Sequence, residues 1–204
     1  MILAPHSDAF RSSTLGQNLL HDIINVTGWT TSKTYGGIEL EPFLNSLRPV
    51  DVALIEKGLP HLRSLSQDYL NCPIQQAFNW NTLASILGKE WQGEWFVVVF
   101  RSIRKISADH QRLFEADVRS QKEAIETGGF LKMRYQYWYA DLNEHQECMA
   151  MCIWVDVEYA AKASRKPLHR EAAKLAGQMY DSYVLERHRL IKRAGETIFH
   201  IEPM

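Results

Sequence analysis

The sequence predicts an α+β chain. Residues 94–204 read as a ferredoxin-like βαββαβ antiparallel sheet, and residues 1–93 as a helical and irregular extension packed on that core. Three observations predict this. An apolar β-branched and aromatic run at 94–100 is followed by a charged, Gly- and Pro-free stretch at 108–127. Two alternating runs, 130–139 and 147–156, flank the polar turn 141–145 and form a hairpin. A helical repeat of Ala172, Leu175, Ala176 and Met179 then leads into extended segments at 183–191 and 196–201. Strand, helix, two strands, helix, strand is the split β-α-β order, with both helices on one face of the sheet.

Each element has a local reason. Trp95, Phe96 and Val97–Val99 favour a buried strand. Ser107 and Asp109 provide N-cap chemistry for the helix at 108–127, and Gly128-Gly129 ends it, because glycine takes the left-handed cap conformation at little cost. The helical stretch 157–180 is expected to break at 164–167, where Pro167 fits a first helical turn and not an interior one. Ala194-Gly195 joins the last two strands.

The extension carries weaker signals. Leu19-Leu20 and Ile23-Ile24 suit a short amphipathic helix before Thr34, Tyr35-Gly36-Gly37 a turn, and 38–40 a short extended segment. Pro49 and Gly58 bracket a helix over 49–57, and Leu62, Leu65 and Tyr69 repeat at helical intervals over 60–70. Asn81 is the expected N-cap of a helix at 82–87, stopped by Gly88. These roughly 90 residues show no core of their own, so they are expected to flank the sheet as a lid.

Composition excludes several classes. The 204 residues carry a net charge of −1 and are 46% hydrophobic. Scattered Lys and Arg argue against nucleic-acid binding, which needs a clustered basic surface. No run approaches the ~20 apolar residues of a membrane span, and the N-terminus lacks a secretory pattern, so a cytoplasmic location is expected. Cys72, Cys148 and Cys152 are an odd set, expected as free thiols. On a strand Cys148 and Cys152 lie ~13 Å apart, too far to share a disulfide or a zinc ion. Small buried hydrophobes is the better reading. No histidine pair has metal spacing, and no phosphate loop, dinucleotide fingerprint or nucleophile elbow is present, so neither a metal nor a cofactor is expected.

Alternation sorts the hairpin into two faces. Met149, Met151, Ile153 and Val155 are expected to pack on the helices. The other face combines Lys132, Arg134, Gln136 and Trp138 with Cys148, Ala150, Cys152 and Trp154. Donors mixed with two tryptophans fit a ligand pocket, and equally a homodimer interface. Lys132, Arg134 and Trp138 are therefore the candidate catalytic donors. Gln136, Trp154, Arg101 and His188 are candidate substrate-binding residues. Asp109, Glu115 and Asp117 read as a solvated acidic helix face, and His169 as a capping or interface residue.

The topology and the broken helix at Ser164-Arg165-Lys166-Pro167-Leu168-His169 resemble the dimeric α+β barrel group, which includes small cofactor-free monooxygenases and cyclases of antibiotic pathways. Phe100-Arg101-Ser102-Ile103-Arg104, Gly128-Gly129-Phe130-Leu131-Lys132, Tyr137-Trp138-Tyr139, Cys152-Ile153-Trp154 and Tyr183-Val184-Leu185-Glu186-Arg187-His188 resemble a family of fungal proteins found near natural-product genes. That resemblance implies secondary metabolism and a relation to the norbornene-forming Diels–Alder step of sordarin-type diterpenoid pathways. The expected function is a cofactor-independent cyclase acting on an apolar terpenoid-like intermediate, with loss of turnover in Trp138→Ala and Arg134→Ala. A cofactor-free monooxygenase and a non-catalytic binding module are the alternatives. The expected partner is a small apolar organic substrate, with no nucleic acid and no membrane.

Overall fold

The structure, a computed structural model, describes residues 34–35, 38–39, 41–65, 68–135 and 144–204, with backbone alone at 34–35, 38–39 and 132–135. The helix expected before Thr34 and Gly36-Gly37 of the expected turn lie outside the described residues. So does most of the 141–145 turn.

Five strands form one antiparallel sheet: β3 (Gly93–Arg104), β4 (Phe130–Tyr135), β5 (Glu147–Trp154), β6 (Tyr180–Lys192) and β7 (Phe199–Pro203). Their spatial order is β4-β5-β3-β6-β7, every pair antiparallel. The first four strands are the split β-α-β core, and β7 adds a hairpin strand beside β6. A separate two-residue pair, β1 (Thr34–Tyr35) with β2 (Ile38–Glu39), precedes it. Helix α5 (His110–Thr127) joins β3 to β4, and α6 (Val157–Ser164) and α7 (Pro167–Met179) join β5 to β6. The helix ends follow the sequence signals. Asp109 accepts from Arg112 N, Asp156 accepts from Glu158 N and Tyr159 N, and Gly128 closes α5 at φ 88°. Pro167 opens α7, where its missing N–H costs no helical bond.

Glu123 sits in α5 yet caps a different helix. Its carboxylate accepts from the backbone N–H groups of Leu168 and His169 in the first turn of α7, and lies 3.1 Å from His169 Nδ1. One buried acceptor thus fixes where α7 starts relative to α5.

The extension contributes α1 (Glu41–Asn45), α2 (Pro49–Ala53), α3 (Ile74–Ala77) and α4 (Trp80–Leu87). The helix expected over 49–57 runs on from α2 as a wide helical turn at Leu54–Gly58, followed by a tight one at Leu59–His61. The repeat at 60–70 does not form a helix. Ser64 instead bridges Phe78, and Leu65 N bonds Ala77 O, because tertiary pairing outweighs weak local periodicity. Helix α4 begins two residues earlier than expected, with Asn79 at its N-cap.

The sheet faces are the reverse of the expected arrangement. Trp95, Val97, Val99 and Arg101 of β3 are in register with Leu190, His188, Glu186 and Val184 of β6, and this face lies under the extension. Val97, Val99 and Arg101 pair with Ile153, Met151 and Met149, so the face expected to meet the helices meets residues 43–87 instead. Helices α5–α7 cover the Cys148, Ala150, Cys152 and Trp154 face. Alternation separates two faces, and with both apolar it does not say which layer covers which. The second face is therefore covered by the chain itself.

Two features fasten the extension. Edge-on aromatic pairs run from Phe78 to Trp80, from Trp80 to Phe199 and from Phe199 to Trp95. Asp51, fully buried, accepts from Trp95 Nε1 at 2.7 Å and from Arg48 through its backbone N, Nε and Nη2 at 2.7–3.0 Å.

Candidate functional site: a cavity between sheet and helices

Small side chains create the site. Ala160, Ala161, Ser164, Ala172, Ala173 and Ala176 on α6 and α7 face the sheet, and Ala116, Ser120 and Ala124 do so from α5. They cannot fill the gap above Phe96, Val98, Phe100, Cys148, Ala150 and Cys152, and a cavity of about 390 Å³ remains. That volume lies in the range of small-molecule sites. Trp154 and Phe130 stack edge to face at one end, with ring centroids 4.9 Å apart. Tyr180 and Tyr183 stand toward the other, 5.5 Å apart, and Tyr183 also meets Phe100. The rim residues Val157, Ser164, Ala173, Tyr183, Leu185 and Arg187 are exposed, so the mouth opens between β6 and the α6–α7 pair.

The polar groups are few. Burial pushes the Tyr180 phenol up to about 12, an effect that nearby Arg104 only partly offsets. Burial moves Tyr183 in the same direction. Its outer side is 41% exposed, however, so Tyr180 is the firmer of the two neutral donors. Burial also raises the Cys152 thiol well above its usual range, and Cys148 Sγ shares a hydrogen bond with Ser102 Oγ. The Cys152 thiol and the two phenols keep their protons at neutral pH. They are poor nucleophiles and can serve as hydrogen-bond donors. Among the described lining residues Asp117 supplies a carboxylate and Arg187 a guanidinium. Gln121 is 2% exposed, and its amide oxygen is buried without a hydrogen-bond partner among the described residues.

A second polar group lies on the opposite sheet face. Arg101 donates to Glu186 at 2.5 Å, to Cys72 O at 2.7 Å and to Leu70 O, and His188 Nε2 lies 3.2 Å from Glu186 Oε2. Burial acts to raise the Glu186 carboxyl, but the hydrogen bonds of Arg101 and His188 outweigh it and leave it below its ordinary value. These bonds tie the extension to the sheet. Among the described residues no group of three or more His, Cys, Asp or Glu is placed to hold a metal ion. No described helix is long and apolar enough to cross a membrane.

A family described as PB2B2.08-like matches residues 41–203, most of the chain. The chain belongs to the PB2B2.08-like family. No curated protein matches it. Among solved structures it is similar to SnoaB, a cofactor-independent oxygenase from Streptomyces nogalater, at 10% identity and a TM-score of 0.37, over 47% of this chain and 90% of that one. It is also similar to a protein described as a putative antibiotic biosynthesis monooxygenase from Nitrosomonas europaea, at 11% identity and 0.39, over 47% and 90%. A protein described as a putative monooxygenase from Lactobacillus acidophilus matches at 10% identity and 0.41, over 52% and 49%.

In this PB2B2.08-like chain the residues singled out from sequence are dispersed. Trp154 lines the cavity. Arg101 and His188 stand on the far face with Glu186, and the structure does not bring them to Trp154. The backbone register sets Lys132 opposite Ile153 and Arg134 opposite Met151, after a bulge between Phe130 and Lys132. Gln136 and Trp138 lie outside the described residues. Asp117, expected to be solvated, lines the cavity, because it stands one helical turn from Leu113 and Ser120 on the inward stripe of α5. His169 both lines the cavity and joins the Glu123 cap. Sequence reasoning missed Gln121, Tyr180 and Tyr183. The available signal was a polar residue inside an apolar stripe: Leu113, Ala116, Ser120, Gln121 and Ala124 recur at helical spacing.

Proposed function

We propose that this protein is a small-molecule enzyme of secondary metabolism that holds an apolar intermediate in the sheet–helix cavity and promotes its cyclisation without a dedicated cofactor. An intramolecular Diels–Alder cycloaddition on a terpenoid-like substrate is a reaction of this kind. The observation that carries the reading is a largely apolar cavity of about 390 Å³ whose buried Cys152 thiol and Tyr180 phenol are held in their neutral, proton-bearing forms. Such a cyclisation requires no nucleophile. It needs the substrate folded into one reactive pose, which removes much of the entropic part of the barrier. A phenolic O–H from Tyr180 or Tyr183 would hydrogen-bond a carbonyl conjugated to the reacting double bond and stabilise charge gathering there in the transition state. Trp154, Phe130 and Phe100 would form the shaped wall. A second reading, cofactor-free oxygenation, would use Asp117, a lining carboxylate that must leave its own interaction within the protein to take a proton from an acidic substrate position, so that oxygen can react with the resulting carbanion.

The test incubates the protein with the apolar extract of its source organism, with and without oxygen, and follows the mixture by mass spectrometry. Conversion of one compound into an isomer of equal mass, without oxygen and lost in Tyr180→Phe, is the expected result. Oxygen-dependent gain of mass assigns the second reading. A retained compound that is never converted overturns both and leaves a binding module.

A further inference from the structure

Two lining groups lack partners in a way that describes the ligand. Among the described residues Gln121 is 2% exposed, and its amide oxygen has no hydrogen-bond partner and almost no accessible surface. An unpaired buried amide oxygen is unfavourable, and a turn of the side chain toward the cavity lets an entering group meet it. Arg187 is the second group. Along the same face of β6, Arg189 is paired with Glu94 and Glu202, and on the far face Arg101 is paired with Glu186. The guanidinium of Arg187 makes no ion pair or hydrogen bond among the described residues, although its strand position, opposite Val98, puts it on the cavity rim. Asp117 does not compensate it, being engaged within the protein by an interaction of its own. His169 is held to Glu123.

We infer that the cavity takes an apolar monocarboxylic acid bearing a hydroxyl group away from the acid, with the carboxylate at Arg187 on the rim and the hydroxyl on the Gln121 amide inside. This rests on the cavity being a ligand site, as in the function proposed above, and adds the class of molecule. One guanidinium matches one carboxylate in a two-pronged contact. A diphosphate would call for several cations, and among the described residues the lining has one Arg and no Lys. A hydroxyl both donates and accepts, so it satisfies either polar atom of the glutamine amide. The aromatic and alanine walls accept the apolar body between the two ends.

Calorimetric titration with ω-hydroxy fatty acids of graded length, their unsubstituted parent acids and the corresponding fatty alcohols tests this without reference to turnover. At the length that fits best, the hydroxy acid is expected to bind about tenfold more tightly than the parent acid, the worth of one buried hydrogen bond. Gln121→Leu, similar in volume, should abolish that preference. Arg187→Gln should weaken both acids several-fold and spare the alcohol. The inference is overturned if no length shows the hydroxyl preference, if Gln121→Leu retains it, or if Arg187→Gln weakens acid and alcohol alike. Equal-mass conversion of some other compound alongside such a failure would leave the cyclase reading standing and remove only this ligand class. Selective binding of the hydroxy acid without conversion of any compound would do the reverse.

Discussion

Removing the Asp51 carboxylate should loosen the extension from the sheet. Asp51 is fully buried and gathers four donor groups: Trp95 Nε1 at 2.7 Å, Arg48 Nη2 at 2.7 Å, Arg48 Nε at 2.8 Å and Arg48 N at 3.0 Å. In Asp51→Ala the indole N–H of Trp95, itself 1% exposed, loses its acceptor, at a cost of about 1–3 kcal/mol. Loss of the cap on Arg48 N, which starts α2, costs about 1 kcal/mol. The Arg48 ion pair adds only about 0–1 kcal/mol, because the arginine side chain is 47% exposed and screened by water. The sum is about 3 kcal/mol, a large part of the ~5–15 kcal/mol that holds a typical domain together. Asp51→Asn keeps an acceptor for Trp95 and should lose about 1 kcal/mol. Urea unfolding followed by tryptophan fluorescence measures both. A fall in the denaturant slope in the Ala variant would show the extension opening by itself. An Ala variant within ~0.5 kcal/mol of wild type would refute the reasoning, since Trp95 and Arg48 must then be satisfied some other way.

Two further outcomes follow from the helix ends. Burial pushes the Glu123 carboxyl up, but the backbone N–H of His169, its ring and the N–H of Leu168 pull it down further, and it ends below its ordinary 4.5. Its stabilisation is therefore complete above the unfolded carboxyl pKa and is lost as pH falls through the lower folded value. Acid unfolding curves should show wild type losing stability below pH ~4.5 relative to Glu123→Gln, and parallel curves would dismiss the inter-helix cap. Gly129 has φ +67°, and a Cβ there would collide with the Tyr159 ring and come within 2.9 Å of Tyr159 Cβ. Gly129→Ala should cost about 2–4 kcal/mol, the left-handed backbone adding to the overpacking, and thermal unfolding would reveal it. A midpoint equal to wild type would mean that β4 and α6 can separate without loss.

Much of the fold was legible in the chain because its signals are local. A continuous apolar run marks β3, period-two alternation marks β4 and β5, Asp109 and Gly128 frame α5, and Pro167 splits α6 from α7, each acting within a few residues. The extension was less legible. Its segment at 60–70 carries leucines at helical spacing, yet it pairs with Phe78 and Ala77, partners too distant in sequence for periodicity to register. Of the candidate site one strand face was legible: Cys148, Ala150, Cys152 and Trp154 of β5, grouped by alternation on a candidate pocket face, all line the cavity.

The amino-acid order by itself determined the succession of elements from β3 to β7, the ends of α5, the break between α6 and α7, and the existence of two distinct sheet faces. These depend on backbone preference and side-chain period, which neighbouring residues settle among themselves. Only the tertiary structure decided that residues 43–87 cover one face and the helices the other, that six small residues on α6 and α7 meet over the sheet to leave a hollow, and that Gln121 and Arg187 face it without partners. Those facts concern what lies opposite a side chain across tens of residues, and that is set by how layers stack.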